Sequence, residues 1–169
     1  DTPDKRMLQA TIYMNQNRAA EAAELLERSL LTSINDIQMV LYKLIDVNMA
    51  LGDHEAASYV AERATRLAEA LDLNHYNTLV APFQVAVASK DSARTLELLR
   101  KMLESMSDEW DVHASPLYRR ISVNNTSASL EKMVKLLLQG LQQAPEYAFL
   151  RDDPAFQKLM AEYEEKRSK

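Results

Sequence analysis

Cysteine is absent from this chain, which removes disulfide frameworks, thiolate metal sites and cysteine nucleophiles and makes a reducing, cytoplasmic compartment the expected setting. Glycine is scarce too. Its 2 copies are too few for most phosphate-cradling loops or nucleophile elbows, and no Ser/His/Asp ordering accompanies them. No apolar run approaches the roughly 18 to 20 residues of a membrane span. The opening DTPDKRML has neither the basic nor the apolar region of a signal peptide. Basic pairs such as Arg119-Arg120 and Lys166-Arg167 are isolated within a chain of formal charge −5 and pI near 5.3. Proteins that hold nucleic acid gain affinity by neutralising phosphates with clustered cations, so this segment is not expected to bind DNA itself.

What the chain does have is 47% hydrophobic and 27% charged residues with only 5 prolines, a composition suited to long helices and leaving little room for strands. Its 169 residues and 19.2 kDa make a single domain over 1–169, large enough to bury about 70% of the surface of the unfolded chain.

Thr2-Pro3 predicts a helix start, with a hydroxyl N-cap and proline at the first helical position, and the helix should reach about Met14. Asn15-Gln16-Asn17 interrupts it, and Ala20 to Leu31 resumes with Ala22, Leu25, Leu26 and Leu30 on one stripe. The polar stretch Thr32-Ser33-Ile34-Asn35 predicts a new helix start. A second hairpin follows from Ile37 to Leu71, broken at Leu51-Gly52-Asp53. A third begins near Asn74, turns at Lys90-Asp91 and returns through Leu96, Leu99, Met102 and Leu103, with Pro82 predicting a kink or late start in its first helix. Asn17, Gly52 and Lys90 are then equivalent turn positions, 35 and 38 residues apart, which aligns Ala22, Ala57 and Thr95.

Periodicity fails from Ser107 to Asn125. A structureless loop of that length is unusual in a compact domain, so Ser115-Pro116 is expected to start a short helix through Leu117, Tyr118 and Ile121, with Trp110 folded back as an apolar anchor. Asn124-Asn125-Thr126-Ser127 is a capping cluster for a helix over about 128–143. Its match to the glycosylation acceptor pattern matters only in a secreted protein. Asp153-Pro154 begins a last helix that caps the stack.

His54, His75 and His113 do not pair at helical spacing, so no metal and no cofactor is expected. Asp53-His54-Glu55 reads as a hairpin turn in which Asp53 caps the next helix, not as acid-base machinery. Met7, Met14, Met39 and Met49 read as core before they read as groove. Catalysis has no support in these residues, and the chain is not expected to be an enzyme.

The stretch ALGDHEAASYVAERA resembles the turn and second helix of a tetratricopeptide repeat, with Gly52, Ala57, Ala61 and Ala64 at its small positions. Ala10 fits the small position of a first helix, whereas Ile45 and Phe83 are large there. The resemblance implies an all-α right-handed superhelix of antiparallel helical hairpins, divergent, with three repeats and a capping fourth pair. First helices line the concave face of such a stack. On this alignment that face carries Thr11, Asn15, Tyr42, Lys43, Asp46, Met49, Asn77, Val80 and Gln84, with amides for a peptide backbone and Tyr42 and methionine for side chains.

ATIYMNQNRAAEAAELL, NHYNTLVAPFQVAVASKD, ASPLYRRI and FLRDDPAFQKLM together resemble the C-terminal helical-repeat domain of Xre-type helix-turn-helix transcription regulators of Gram-positive bacteria. That resemblance implies a domain that senses a ligand, often a peptide, or mediates homodimerisation. DNA would be bound only through an N-terminal domain preceding this segment, an expectation to which the lack of an initial Met also leads. The competing reading is a freestanding adapter that scaffolds a protein partner with no DNA-binding role.

Overall fold

A computed structural model describes residues 4–122 and 127–167. It is all-α: among the described residues seven α-helices and three short 3-10 helices occur, and no strand. The helices are α1 Lys5–Asn15, α2 Ala19–Ala50, α3 His54–Ala70, α4 His75–Ala88, α5 Ser92–Ser105, α6 Ser127–Gln143 and α7 Pro154–Arg167. The expected start at Thr2-Pro3 and the 124–126 part of the capping cluster lie outside the described residues. α1 is capped by Asp4, whose carboxylate accepts from Arg6 N at 3.0 Å.

The three turns aligned in the sequence share one geometry. Asn17, Gly52 and Lys90 all adopt positive φ, at 57°, 77° and 55°. In each, the next residue's N–H reaches back five residues: Arg18 to Tyr13 at 2.8 Å, Asp53 to Asn48 at 2.9 Å, Asp91 to Ala86 at 3.0 Å. This helix-ending motif satisfies carbonyls that the last turn leaves orphaned. Asp72 repeats it after α3, with Leu73 N bonding Ala68 O at 3.0 Å. Five residues beyond each aligned turn, Ala22, Ala57 and Thr95 are buried where the returning helix meets its partner. Asp53 and Asp91 then cap the returning helices through Ala56 N and Arg94 N, both at 3.0 Å.

The predicted break at Thr32–Asn35 does not occur. α2 runs unbroken for 32 residues, so the second helix of the first hairpin and the first helix of the second are one rod. No glycine or proline stands there to end it, and the Thr32 hydroxyl donates to its own helix at Arg28 O, 3.1 Å, instead of capping a new one. Ile34, 2% exposed, is buried among Val112, Tyr118 and Ile121.

Those three residues belong to the aperiodic stretch after α5, which crosses back as a strap. The short helix expected at Ser115-Pro116 forms, spanning Pro116–Tyr118 and ending before Ile121, and a second turn covers Val112–Ala114. Tyr118, fully buried, is the main anchor, and Trp110 stands edge-on to it at 6.5 Å. The Tyr118 hydroxyl donates to Leu71 O, and Ser115 Oγ donates to Asp72 at 2.7 Å. Buried Glu27 on α2 accepts from Arg120 N at 2.6 Å, with the Arg120 guanidinium at 3.5 Å. The strap thus ties the end of α3 to the middle of α2.

Core packing follows side-chain size. Ile45, fully buried on α2, is accommodated by Ala57, Ala61 and Ala64 of α3 together with Ala81 of α4, one large side chain matched by small ones. Phe83 is likewise buried, in the larger core that α4 and α5 share with α6, α7 and the 3-10 turn Pro145–Leu150. The methionines depart from expectation. Met7, Met14 and Met39 are 56 to 59% exposed, and only Met49 packs, against the Ile45 cluster. The other three lie on faces of α1 and α2 that no element of the described chain covers.

α4 starts at His75, capped by Asn74, and continues through Pro82, so the late start predicted from this proline is not seen. Proline lacks the N–H that would have bonded the carbonyl of Thr78. Thr65 of α3 replaces it: its hydroxyl donates to Thr78 O at 3.0 Å.

Two predictions follow from these local devices. A Cβ at position 52 meets no atom within 4 Å, so only backbone conformation opposes Gly52→Ala. That variant should lose about 1 kcal/mol, while Lys90→Gly, relieved of the same left-handed cost, should gain about 0.5 kcal/mol. Urea unfolding read by circular dichroism gives both signs. Thr65→Val, which leaves the Thr78 carbonyl without its donor, should cost about 1–3 kcal/mol in the same assay.

Candidate functional site

A groove of about 530 Å³ lies where the C-terminal half of α2, α4 and the 3-10 turn Pro145–Leu150 converge. Its apolar wall is made by Val80, Phe83 and Val87 of α4 with Tyr147, whose ring is tilted 33° from that of Phe83 at 6.2 Å. Asp46, Lys90 and Glu146 supply charge around it. Apolar wall with a few convergent polar groups is the composition of ligand sites generally.

The polar centre is Gln84. Its Nε2 donates to Tyr42 O at 2.7 Å and also to the Asp46 carboxylate, so the amide is fixed between α2 and α4. With its N–H donors occupied, Gln84 offers Oε1 as an acceptor, the complement of a peptide N–H.

Tyrosine phenols gather on this side of the molecule. Tyr42, Tyr76 and Tyr147 are each held above the usual phenol range, first by burial; Tyr76 adds a further upward push on the other two, as Glu146 does on Tyr147. They are therefore neutral donors and ring surfaces at physiological pH, not anions.

Of the nine residues expected on the concave face, the structure brings Asp46, Val80 and Gln84 into this groove, with Tyr42 bonded to it through its carbonyl. Lys43 stands outside it, exposed, 3.5 Å from Asp46. Met49 turns inward to the Ile45 cluster, and Asn77 is half-buried in the first turn of α4. Thr11 and Asn15 lie apart on α1, exposed, the Thr11 hydroxyl bonded to Met7 O of its own helix at 3.0 Å. An unbroken α2 is the physical reason. Continuing as one rod, it leaves α1 packed chiefly on α2, away from the groove at α4.

Sequence reasoning missed Phe83, Val87, Lys90, Glu146 and Tyr147. The last two come from a 3-10 turn that Pro145 starts, and a proline after a helix was the available signal. A second cavity, about 440 Å³, opens on the opposite side of α4 against α3 and α5; it includes Ser58, Thr65 and Arg94 and none of the nine. Among the described residues no group of three or more His, Asp or Glu could hold a metal ion, and no helix is long and apolar enough to cross a membrane.

A raised phenol pKa means that the folded chain retains protons which the unfolded chain loses near pH 10, so stability is full below about pH 10 and falls as pH rises above it. Phenolate absorbance should rise at higher pH in the folded protein than in urea, and the unfolding midpoint should decline over the same interval. Comparison of the chain with protein-family models, with curated proteins and with solved structures found no match.

Proposed function

We propose that this chain is the ligand-sensing domain of a helix-turn-helix transcription regulator, a divergent right-handed superhelix of tetratricopeptide-like hairpins that takes a short peptide in the groove between α2 and α4. The observation that carries the reading is the fixed Gln84 amide, with its acceptor beside an aromatic wall and flanked by Asp46, Lys90 and Glu146. A side-chain acceptor for a peptide N–H, with apolar surface next to it, can hold an extended peptide without strict sequence demands.

Repetition of one turn geometry at Asn17, Gly52 and Lys90 supports the hairpin-repeat description. Contact of α4 with both α2 and α3 supports the stacking of one hairpin on the last. The sequence resemblance to Xre-type regulators supports the regulatory role, with DNA contacted by a separate N-terminal domain. Peptide bound across α2 and α4 would favour one relative setting of these helices and so shift the pairing of two regulator copies. A hundredfold change in DNA affinity requires about 2.7 kcal/mol of differential peptide binding.

Selection of a random octapeptide library on the purified protein tests the reading directly. Enriched peptides should saturate a single site by fluorescence anisotropy. Gln84→Ala should weaken them about tenfold, and Ala88→Trp, which fills the groove from an exposed position, should weaken them further. No enrichment, or peptides indifferent to both variants, would remove the peptide from the proposal.

A further inference from the structure

Among the described side chains every lysine and arginine is exposed except Arg151, which is partly buried where the 3-10 turn Pro145–Leu150 ends. Exposed arginines such as Arg28, Arg66 and Arg94 stand beside carboxylates of their own helices. Arg151, the one drawn furthest out of water, forms no ion pair with a described carboxylate. Its neighbour Asp153 is committed to the first turn of α7 through Ala155 N at 2.8 Å. Arg151 Nη2 donates to Ala144 O at the C-terminal end of α6, a favourable place for a cation. That bond uses only one of its N–H groups. Nε is buried with no acceptor, and Nη1 makes no described bond. A charged donor removed from water without an acceptor is costly, so this guanidinium lacks a counter-charge.

Arg151 lines a groove of about 330 Å³ between α7 and the end of α6. Phe156, Met160 and Ala161 of α7 give the groove its apolar lining, and Gln142, Gln157 and Glu164 complete it. Gln157 Nε2 donates to Arg151 O at 3.0 Å, which places Arg151 at the start of α7. Glu164 lies seven residues further, about 10 Å along the axis, where it accepts from Gln142 Nε2 at 3.3 Å. The groove therefore has an uncompensated cation at one end, apolar surface along its length and a hydrogen-bonded carboxylate at the other end.

We propose that this groove binds a small monocarboxylate with a short apolar body, the carboxylate on Arg151 and the body along Phe156, Met160 and Ala161. Nη1 and the second N–H of Nη2 can take the two oxygens of a carboxylate as a fork. Size limits the body. The volume is near the lower end of the roughly 300–1,000 Å³ of ligand cavities, and about 10 Å of groove admits an aromatic ring or a short alkyl chain, whereas a longer acid ends against Glu164. Phosphate suits the site less. It brings more negative charge toward Asp152, Asp153 and Glu164 and leaves the apolar lining uncovered. The site shares none of the residues that line the α2–α4 groove, so it stands or falls apart from the peptide reading.

NMR titration of the isotope-labelled protein with hexanoate, hexanol and inorganic phosphate tests the site. Hexanoate should saturate a single site, moving the Arg151 Nε–H signal and the backbone amides of Gln142, Gln157 and Ala161. Hexanol, with a like body and no charge, and phosphate, with charge and no body, should each bind about tenfold more weakly or worse. Ala161→Trp, which fills the groove from an exposed position, should weaken hexanoate about tenfold with an unchanged helical spectrum. Arg151→Lys, which keeps a cation and a donor for Ala144 O but loses the fork, should weaken it about fivefold. Shifts that are absent or centred elsewhere, hexanol or phosphate binding as tightly as hexanoate, or hexanoate indifferent to either variant would each overturn the proposal.

Discussion

Burial of Ile34 beneath Val112, Tyr118 and Ile121 holds α2 as one helix at the place where its sequence offers capping residues. Around this contact the polar bonds are all supplied from the strap: Glu27 accepts from Arg120, Tyr118 donates to Leu71, and Ser115 donates to Asp72. A buried carboxylate is costly unless it is paired, and here its partner comes from 93 residues away in the chain. The arrangement therefore exists only when α2, the end of α3 and the strap have met. Continuity of α2 decides where α1 lies, which residues reach α4, and which face of the rod is left uncovered.

Much of the hairpin structure was legible in sequence because it depends on local chemistry. Turns at Asn17, Gly52 and Lys90 could be aligned because short polar or flexible residues interrupt apolar periodicity there. Asp53 could be read as a cap because a carboxylate two or three residues before free N–H groups has few other uses. The start of the short helix at Ser115-Pro116 was legible for the same reason.

What was not legible depended on long-range contacts. Thr32 to Asn35 have the composition of a helix start, and the strap, whose own sequence is aperiodic, adds the packing on Ile34 that keeps them within one helix. Pro82 signals a kink or late start, and the Thr65 hydroxyl that supplies the missing donor lies on a neighbouring element. The groove was visible only in part. Asp46, Val80 and Gln84 were placed by the hairpin alignment that the repeat resemblance implies, whereas Tyr147 and Glu146 arrive from a turn some 60 residues further along, and Thr11 and Asn15 lie apart on α1. Exposed methionines on α1 and α2 were misread because apolar periodicity alone does not distinguish a face that packs within the chain from one that does not.

The rod of α2 also has a mechanical property. At 1.5 Å per residue its 32 residues extend about 48 Å, and its two ends serve different neighbours: Asp46 borders the groove, while Ala22 lies under α1. A helix of this kind is stiff along its axis, so rotation at one end is not absorbed by a joint in the middle. A tilt of about 5° at the groove displaces the far end by about 4 Å, a little less than the diameter of a methyl-lined contact. The strap holds α2 between these two ends, so such a tilt is opposed at Ile34 and Glu27.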